Sequence, residues 1–335
     1  MVLFEVALLV IFTFILSRMA CIAVEQAGNL SEYLGISRMS VGMLVVGGMV
    51  ALPELAIAIT SSATTHGELA AGNVFGANVT LILFGFGIAA FIYGFNVERK
   101  NLEDLGFALM LTFVICIYII FVTQVVGRSV GFYEGLALFL IFAWYAAKMV
   151  IDKALGKRDL REDLAHFDTG SISLDAISKV GLAGPTAALL FAGSVLAVYV
   201  CSNMVVSSAL VITASLGLSQ SFIAATFIAL GTALPEMMVC LEAIRRKMYS
   251  LALGDAMGSV MANMTLVLGT AAIIQPVSLQ LQVFGVAMLF AVLASVIFFY
   301  YAALRKKFGK REGAVLLALY GLYLVVISAS QFGFL

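Results

Sequence analysis

The sequence predicts an all-α integral membrane protein of ten transmembrane helices, arranged as two inverted five-helix repeats. Three observations predict it. Composition comes first: of 335 residues, 63% are hydrophobic and only 11% charged, and mean hydropathy is +1.10. Soluble domains carry about 25% charged residues, so this chain could not cover a globular surface of its size. The second is continuity, since apolar runs of about 20 residues or more, long enough to cross a bilayer as helices, follow one another along the chain. A β-barrel would instead alternate polar and apolar residues in short segments, and Gly 30 against Pro 4 suits closely packed membrane helices. The third is an internal repeat, set out below.

In chain order, the first apolar run covers 2–30. No basic stretch precedes it, so the expectation is a span that serves as its own insertion signal rather than a cleavable leader. Arg18 and Glu25 within it stand seven residues apart and can share one helix face. The second run, 38–62, carries Pro53 and Glu54 at mid-span; the third, 69–94, opens with GNVFG. Runs at 105–126 and 131–151 complete a first half. The polar stretch after it reads as a connector, giving an N-terminal half 1–152, a linker 153–178 and a C-terminal half 179–335. The second half has runs at 182–213, 219–243 with Pro235 and Glu236, 250–273 opening with GDAMG, 280–303 and 312–332. Cys21, Cys116, Cys201 and Cys240 lie in apolar stretches without CxxC spacing and read as small buried hydrophobes.

Charge is balanced, with 19 basic and 19 acidic residues, so no excess points to nucleic acid or an acidic partner. Its placement is uneven. Of the 19 basic residues, 17 fall in or beside the connections that follow odd-numbered spans, leaving Arg128 opposite and Arg18 within the first span. By the positive-inside rule those connections are cytoplasmic, both termini are outside and the protein is multi-pass in the cell membrane. Five spans per half then place the halves in opposite orientations.

The repeat supports that arrangement. Segment 51–87 aligns with 233–269 without a gap at an offset of 182. Ala51-Leu52-Pro53-Glu54 matches Ala233-Leu234-Pro235-Glu236, and Gly72, Gly76 and Gly87 match Gly254, Gly258 and Gly269. The offset extends backward, pairing Leu34, Gly35 and Ser37 with Leu216, Gly217 and Ser219. Secondary transporters built on inverted repeats place their substrate sites at the repeat interface near the bilayer midplane.

Pro53 and Pro235 remove a backbone donor and free carbonyls, near Gly47 and Ala229, so both are expected helix breaks. In a membrane such breaks are tolerated where they are buried in protein or line a wet cavity. Glu54 and Glu236 decide the chemistry. A mid-span carboxylate costs at least about 2.5–3.5 kcal/mol, and two brought together repel, so a cation or protons must share their space. Thr232, Ser259 and Asn263 supply further oxygens, as hard cations require. Val50, Ala77 and Leu81 stand at the equivalent first-half places, with Asn73, Asn78 and Thr80 nearby. Asp255, matched to Asn73, reads either as a titratable group or as a first-turn acid. His66 and His166 read as solvated and isolated, and Glu242 as interfacial. With no Ser/His/Asp or Cys/His set and no HExxH, the expectation is a non-enzyme.

These residues resemble the cation/calcium exchanger superfamily, in its sodium/calcium exchanger branch, over nearly the whole chain. The family signature is roughly G-[TS]-S-x-P-E, then G-[ND]-x-x-G-[SA]-N with a further Asn or Asp. Here the first repeat shows MVALPE and GNVFGANVTL, and the second GTALPE and GDAMGSVMAN. The resemblance implies ten helices with the second, third, seventh and eighth packed around a central cation site. It places the family's paired glutamates on Glu54 and Glu236, its second-half hydroxyls on Thr232 and Ser259, and its acid or amide ligand on Asn263. Val50, Ala51, Ala77, Leu81 and Ala233 depart from the family's polar residues at their places. The function implied is a secondary active cation antiporter exchanging calcium against sodium by alternating access. The alternatives are a proton-coupled calcium/cation antiporter and a non-transporting membrane cation-binding protein. The expected partners are the lipid bilayer and the transported cations; no cofactor, nucleic acid or obligate protein partner is expected.

Overall fold

The computed structural model describes residues 2–33, 38–97, 101–154, 184–245, 247, 249–277 and 281–332. His166 and all of the expected linker after its first two residues lie outside them. The described residues are helical almost throughout, as the apolar runs require: in hydrocarbon only an intra-segment hydrogen-bond ladder satisfies every backbone group.

The helices are α1 (Val2–Tyr33), α2 (Arg38–Ala63), α3 (Gly67–Val79), α4 (Phe86–Ile92), α5 (Asn101–Ile120), α6 (Phe132–Ala154) and α7 (Gly184–Leu216). They continue with α8 (Gln220–Ile223), α9 (Ala229–Thr232), α10 (Leu234–Arg245), α11 (Tyr249–Ala262), α12 (Leu268–Ile274), α13 (Leu281–Tyr300) and α14 (Lys310–Gln331). Single π-helical turns join several of them: Thr80–Gly85 between α3 and α4, Ala224–Ile228 between α8 and α9, and Asn263–Val267 between α11 and α12. The first and third of these fall at matching places in the two repeated segments. A two-stranded ladder pairs β1 (Phe95–Asn96) with β2 (Lys307–Phe308), antiparallel.

Among the described residues seven helices or helix chains are long and apolar enough to cross a membrane. Gln220–Thr232 and Glu236–Arg245, bent by 47° at the break between them, lie on the seventh apolar run and bring the count to eight where the pair is taken as one span, the bent seventh crossing. Within α2 and α6, the segments Ala51–Ala63 and Phe132–Ala147 are apolar as well. Each of these stretches overlaps one of the ten apolar runs.

Burial sorts the crossings. Gly67–Ile92 and Ala252–Ile274, which carry the glycine motifs, are 78% and 83% buried, against 33% for Lys310–Gln331. The repeated motifs therefore occupy the centre, with α14 at the periphery. Close approach explains the glycines of the first motif. A Cβ on Gly76 would lie 2.4 Å from the Ala225 carbonyl oxygen, and one on Gly72 2.8 Å from the Ala224 Cβ. The α3 backbone thus rests directly on the π turn of the seventh crossing. Long α1 packs along long α7, and α2 is tied to α7 where the Thr60 and Ser202 hydroxyls bond each other and Ser202 donates to the Ala56 carbonyl at 3.1 Å.

The two prolines behave differently. Pro235 stands in the first turn of α10, just past the Thr232–Leu234 junction, where a missing N–H costs least. Pro53 corrects the expectation of a break: α2 is helical from Arg38 to Ala63, straight through it. One absent donor removes one rung of a ladder, and the rest holds the helix together.

Candidate cation site

The site is built where α2, α3 and the bent seventh crossing meet the α11 crossing. Glu54, in the middle of α2, is 1% exposed. Neither of its carboxylate oxygens completes a hydrogen bond. The Thr232 hydroxyl stands beside that carboxylate but donates to Asn73 Oδ1 at 3.1 Å. Thr232 is the last residue of α9, and four residues on, across the bend, Glu236 is buried in α10 with 5% exposure.

Ser259 and Asn263 lie one turn apart along the α11 crossing and so share a face; each is 1% exposed. Asn263 begins the π turn Asn263–Val267, and its Nδ2 donates to Asn78 Oδ1 at 3.0 Å. Asn263 Oδ1, Asn78 Nδ2 and Asn73 Nδ2 have no hydrogen-bond partner. Inside a membrane an orphaned polar atom is costly, and here four residues holding such atoms come from both repeated segments. The Asn73 and Asn78 Nδ2 groups are donors and cannot serve as ligands, but the unbonded oxygens of Glu54 and Asn263 Oδ1, buried together with the Thr232 and Ser259 hydroxyls, suit a hard cation.

Both acids face protein, not lipid. Five positions where the sequence departs from the family pattern supply no oxygen from their side chains; of these, Ala51, Ala77, Leu81 and Ala233 are buried in the same region.

Two groups escaped the sequence reading. Asn73 and Asn78, which the repeat pattern makes no more than neighbours of the site, each form a hydrogen bond to the other half. Asn263 is matched by the repeat offset to Leu81, but its partner is Asn78, one turn earlier on α3. A buried amide on an otherwise apolar helix was the available signal. The second is Ser17 on α1. Pro235 cannot bond the carbonyl four residues back, that of Gly231, and the Ser17 hydroxyl, shared with the Thr13 carbonyl at 3.0 Å, reaches the Gly231 oxygen at 3.1 Å. That freed carbonyl is Gly231's, two residues from Ala229 and so in the expected stretch, and α1 uses it. A Cβ on Gly231 would strike Thr13 Cγ2 at 2.2 Å, so glycine is what lets α1 come this near.

Several polar residues differ from expectation or fall outside view. His66 is not isolated: its Nδ1 lies 3.0 Å from Gln220 Nε2, and it lines a cavity of about 710 Å³ with Glu68, Ser219 and Gln275. Arg18 is exposed and stacks over Phe14 at 5.3 Å. The side chains of Glu25, Glu242 and Asp255 lie outside the described residues. Cys116, Cys201 and Cys240 are buried free thiols.

Known proteins give an independent measure. The family model for sodium/calcium exchanger proteins matches residues 4–150 and 186–329. The inner membrane protein YrbG of Escherichia coli is 28% identical over 255 residues, 76% of this chain and 74% of that protein. The sodium/calcium exchanger MaX1 of Methanosarcina acetivorans is 24% identical, covering 91% of this chain and 93% of its own. The solved structure of the sodium-calcium exchanger NCX_Mj, soaked with Na⁺ and Sr²⁺, covers 97% of this chain and 99% of its own at 21% identity with a TM-score of 0.60. That likeness concerns the fold.

Proposed function

Since the chain belongs to the sodium/calcium exchanger family, a family of multi-pass membrane transporters rather than enzymes, we propose that it exchanges calcium against sodium by alternating access. As a family member it is a cation antiporter that works without a cofactor; the choice of ions is the proposal.

In this reading Glu54 and Glu236 hold the cation, while Thr232, Ser259 and Asn263 complete its oxygen shell. The observation that carries it is the burial of Glu54, 1% exposed with both carboxylate oxygens unbonded, beside Thr232 of the opposite repeat. An ionised carboxylate so placed needs positive charge, and calcium and the counter-ion compete for it. The halves 1–152 and 179–335 are inverted five-helix units, rocking about the site. Pro235 opens the backbone at the bend and Pro53 frees one carbonyl of α2. Both termini face outside, and the linker 153–178 is cytoplasmic in the cell membrane.

A second reading has specific support. Ala51, Ala77, Leu81 and Ala233 offer no side-chain oxygen, a set poorer in sodium ligands, which favours proton coupling through the same glutamates. Calcium flux into proteoliposomes under separate sodium and pH gradients tests both. Sodium-driven flux supports the first reading and pH-driven flux indifferent to sodium the second. Calcium binding without flux under either gradient would overturn both in favour of a cation-binding protein that does not transport.

A further inference from the structure

We propose that the connection from Arg305 to Arg311 is a seat for anionic phospholipid headgroups, held ready by the β1–β2 ladder. Seven residues there carry five cations, Arg305, Lys306, Lys307, Lys310 and Arg311, and all five are exposed. Among the described residues none of the five pairs with an acidic side chain. The one acid within reach in sequence, Glu312, is half-buried and engaged in capping α14, where its Oε2 accepts the Gly309 N–H at 3.0 Å.

The backbone is fixed before any lipid arrives. Phe308 is fully buried, stacked on Phe95 at 4.5 Å and 10°, and packs against Phe298 at 4.8 Å. The ladder registers Asn96 opposite Lys307, and the Val97 N–H donates to the Lys306 carbonyl at 2.9 Å. Lys306 itself takes a left-handed conformation, φ 54°, with its N–H bonded to the Tyr301 carbonyl at 3.1 Å. Buried rings inward and bonded backbone beneath leave the five long side chains as the part that points out, so binding need order only those side chains.

Depth makes the partner a membrane lipid. Tyr300 and Leu304, on the last turns before the connection, are 52% and 68% exposed, and Tyr93, beside β1, is 47% exposed. Exposed tyrosines at helix ends mark the level of the headgroups. The cations thus stand at the phosphate plane, with apolar surface below them for acyl chains, and juxtamembrane clusters of four or more basic residues attract anionic lipid. This reading does not depend on the transported ions.

The test is native mass spectrometry of the full chain released from nanodiscs of equimolar phosphatidylcholine and phosphatidylglycerol. Neutralising Arg305, Lys307, Lys310 and Arg311 to Gln is expected to lower retained phosphatidylglycerol about tenfold or more. A second variant that exchanges Arg for Lys and Lys for Arg at those four positions should retain it as the parent does, as should Arg18→Gln. Adding inorganic phosphate should leave retention unchanged. Equal retention by the neutralised chain, provided it keeps the parent's melting temperature in phosphatidylcholine, would overturn the proposal. So would loss in the charge-conserving variant, or displacement by inorganic phosphate, which would make the seat one for a soluble anion.

Discussion

Asn263 donates from Nδ2 to the Oδ1 of Asn78 at 3.0 Å, joining two fully buried amides 185 positions apart. Each keeps one polar atom unsatisfied. A carboxylate in place of the Asn263 amide gives up the donor to Asn78 Oδ1; with the Asn78 amide turned end for end it accepts from Nδ2 instead, and it offers a bound cation a charged oxygen. Asn263→Asp is therefore expected to tighten apparent calcium affinity in flux assays, and Asn78→Leu to weaken transport and lower stability by about 1–3 kcal/mol through the stranded Asn263 donor.

Glu54→Gln and Glu236→Gln remove the charge but keep the shape. Each is expected to reduce calcium flux in proteoliposomes by at least about tenfold, because hard cations are held by ionised oxygens. Melting temperatures should hold or rise, since a buried charge has been removed. Normal flux in both variants would show that the cation is held elsewhere.

Restoring oxygens to the first half tests the counter-ion. Ala77→Ser with Leu81→Asn places polar atoms where the family pattern has them, and sodium-driven calcium flux should then rise relative to pH-driven flux. An unchanged ratio would show that these positions do not set the coupling.

Ser17→Ala withdraws the hydroxyl that reaches the Gly231 carbonyl left over by Pro235. The expected cost is about 1–3 kcal/mol, read as a lower melting temperature in detergent. Pro235→Ala restores the missing donor, and in the Ser17→Ala background it should recover stability while slowing transport, because the bend is straightened.

Gly76→Ala brings a methyl group to 2.4 Å from the Ala225 carbonyl oxygen, which also accepts the Tyr323 hydroxyl at 2.8 Å. Backbone on both sides cannot yield as a side chain would. Overpacking of this kind costs about 1–3 kcal/mol or more, so loss of folded yield is expected, with Ala77→Gly as a tolerated neighbour.

The sequence by itself determined that the chain is helical and lies in a membrane, because hydrocarbon permits a run of apolar residues only one local structure. It also singled out Glu54 and Glu236, since a charge on such a helix is costly and two at a fixed offset are not accidental. Tertiary structure alone decided that Asn78 rather than the repeat-matched Leu81 faces Asn263, that Ser17 takes up the Gly231 carbonyl, and that His66 is engaged by Gln220. Each of those bonds joins residues at least 154 positions apart. Nothing local encodes such a pairing; it follows from how closely the helix backbones approach. That approach is set by glycines whose neighbours are known only once the chain has packed.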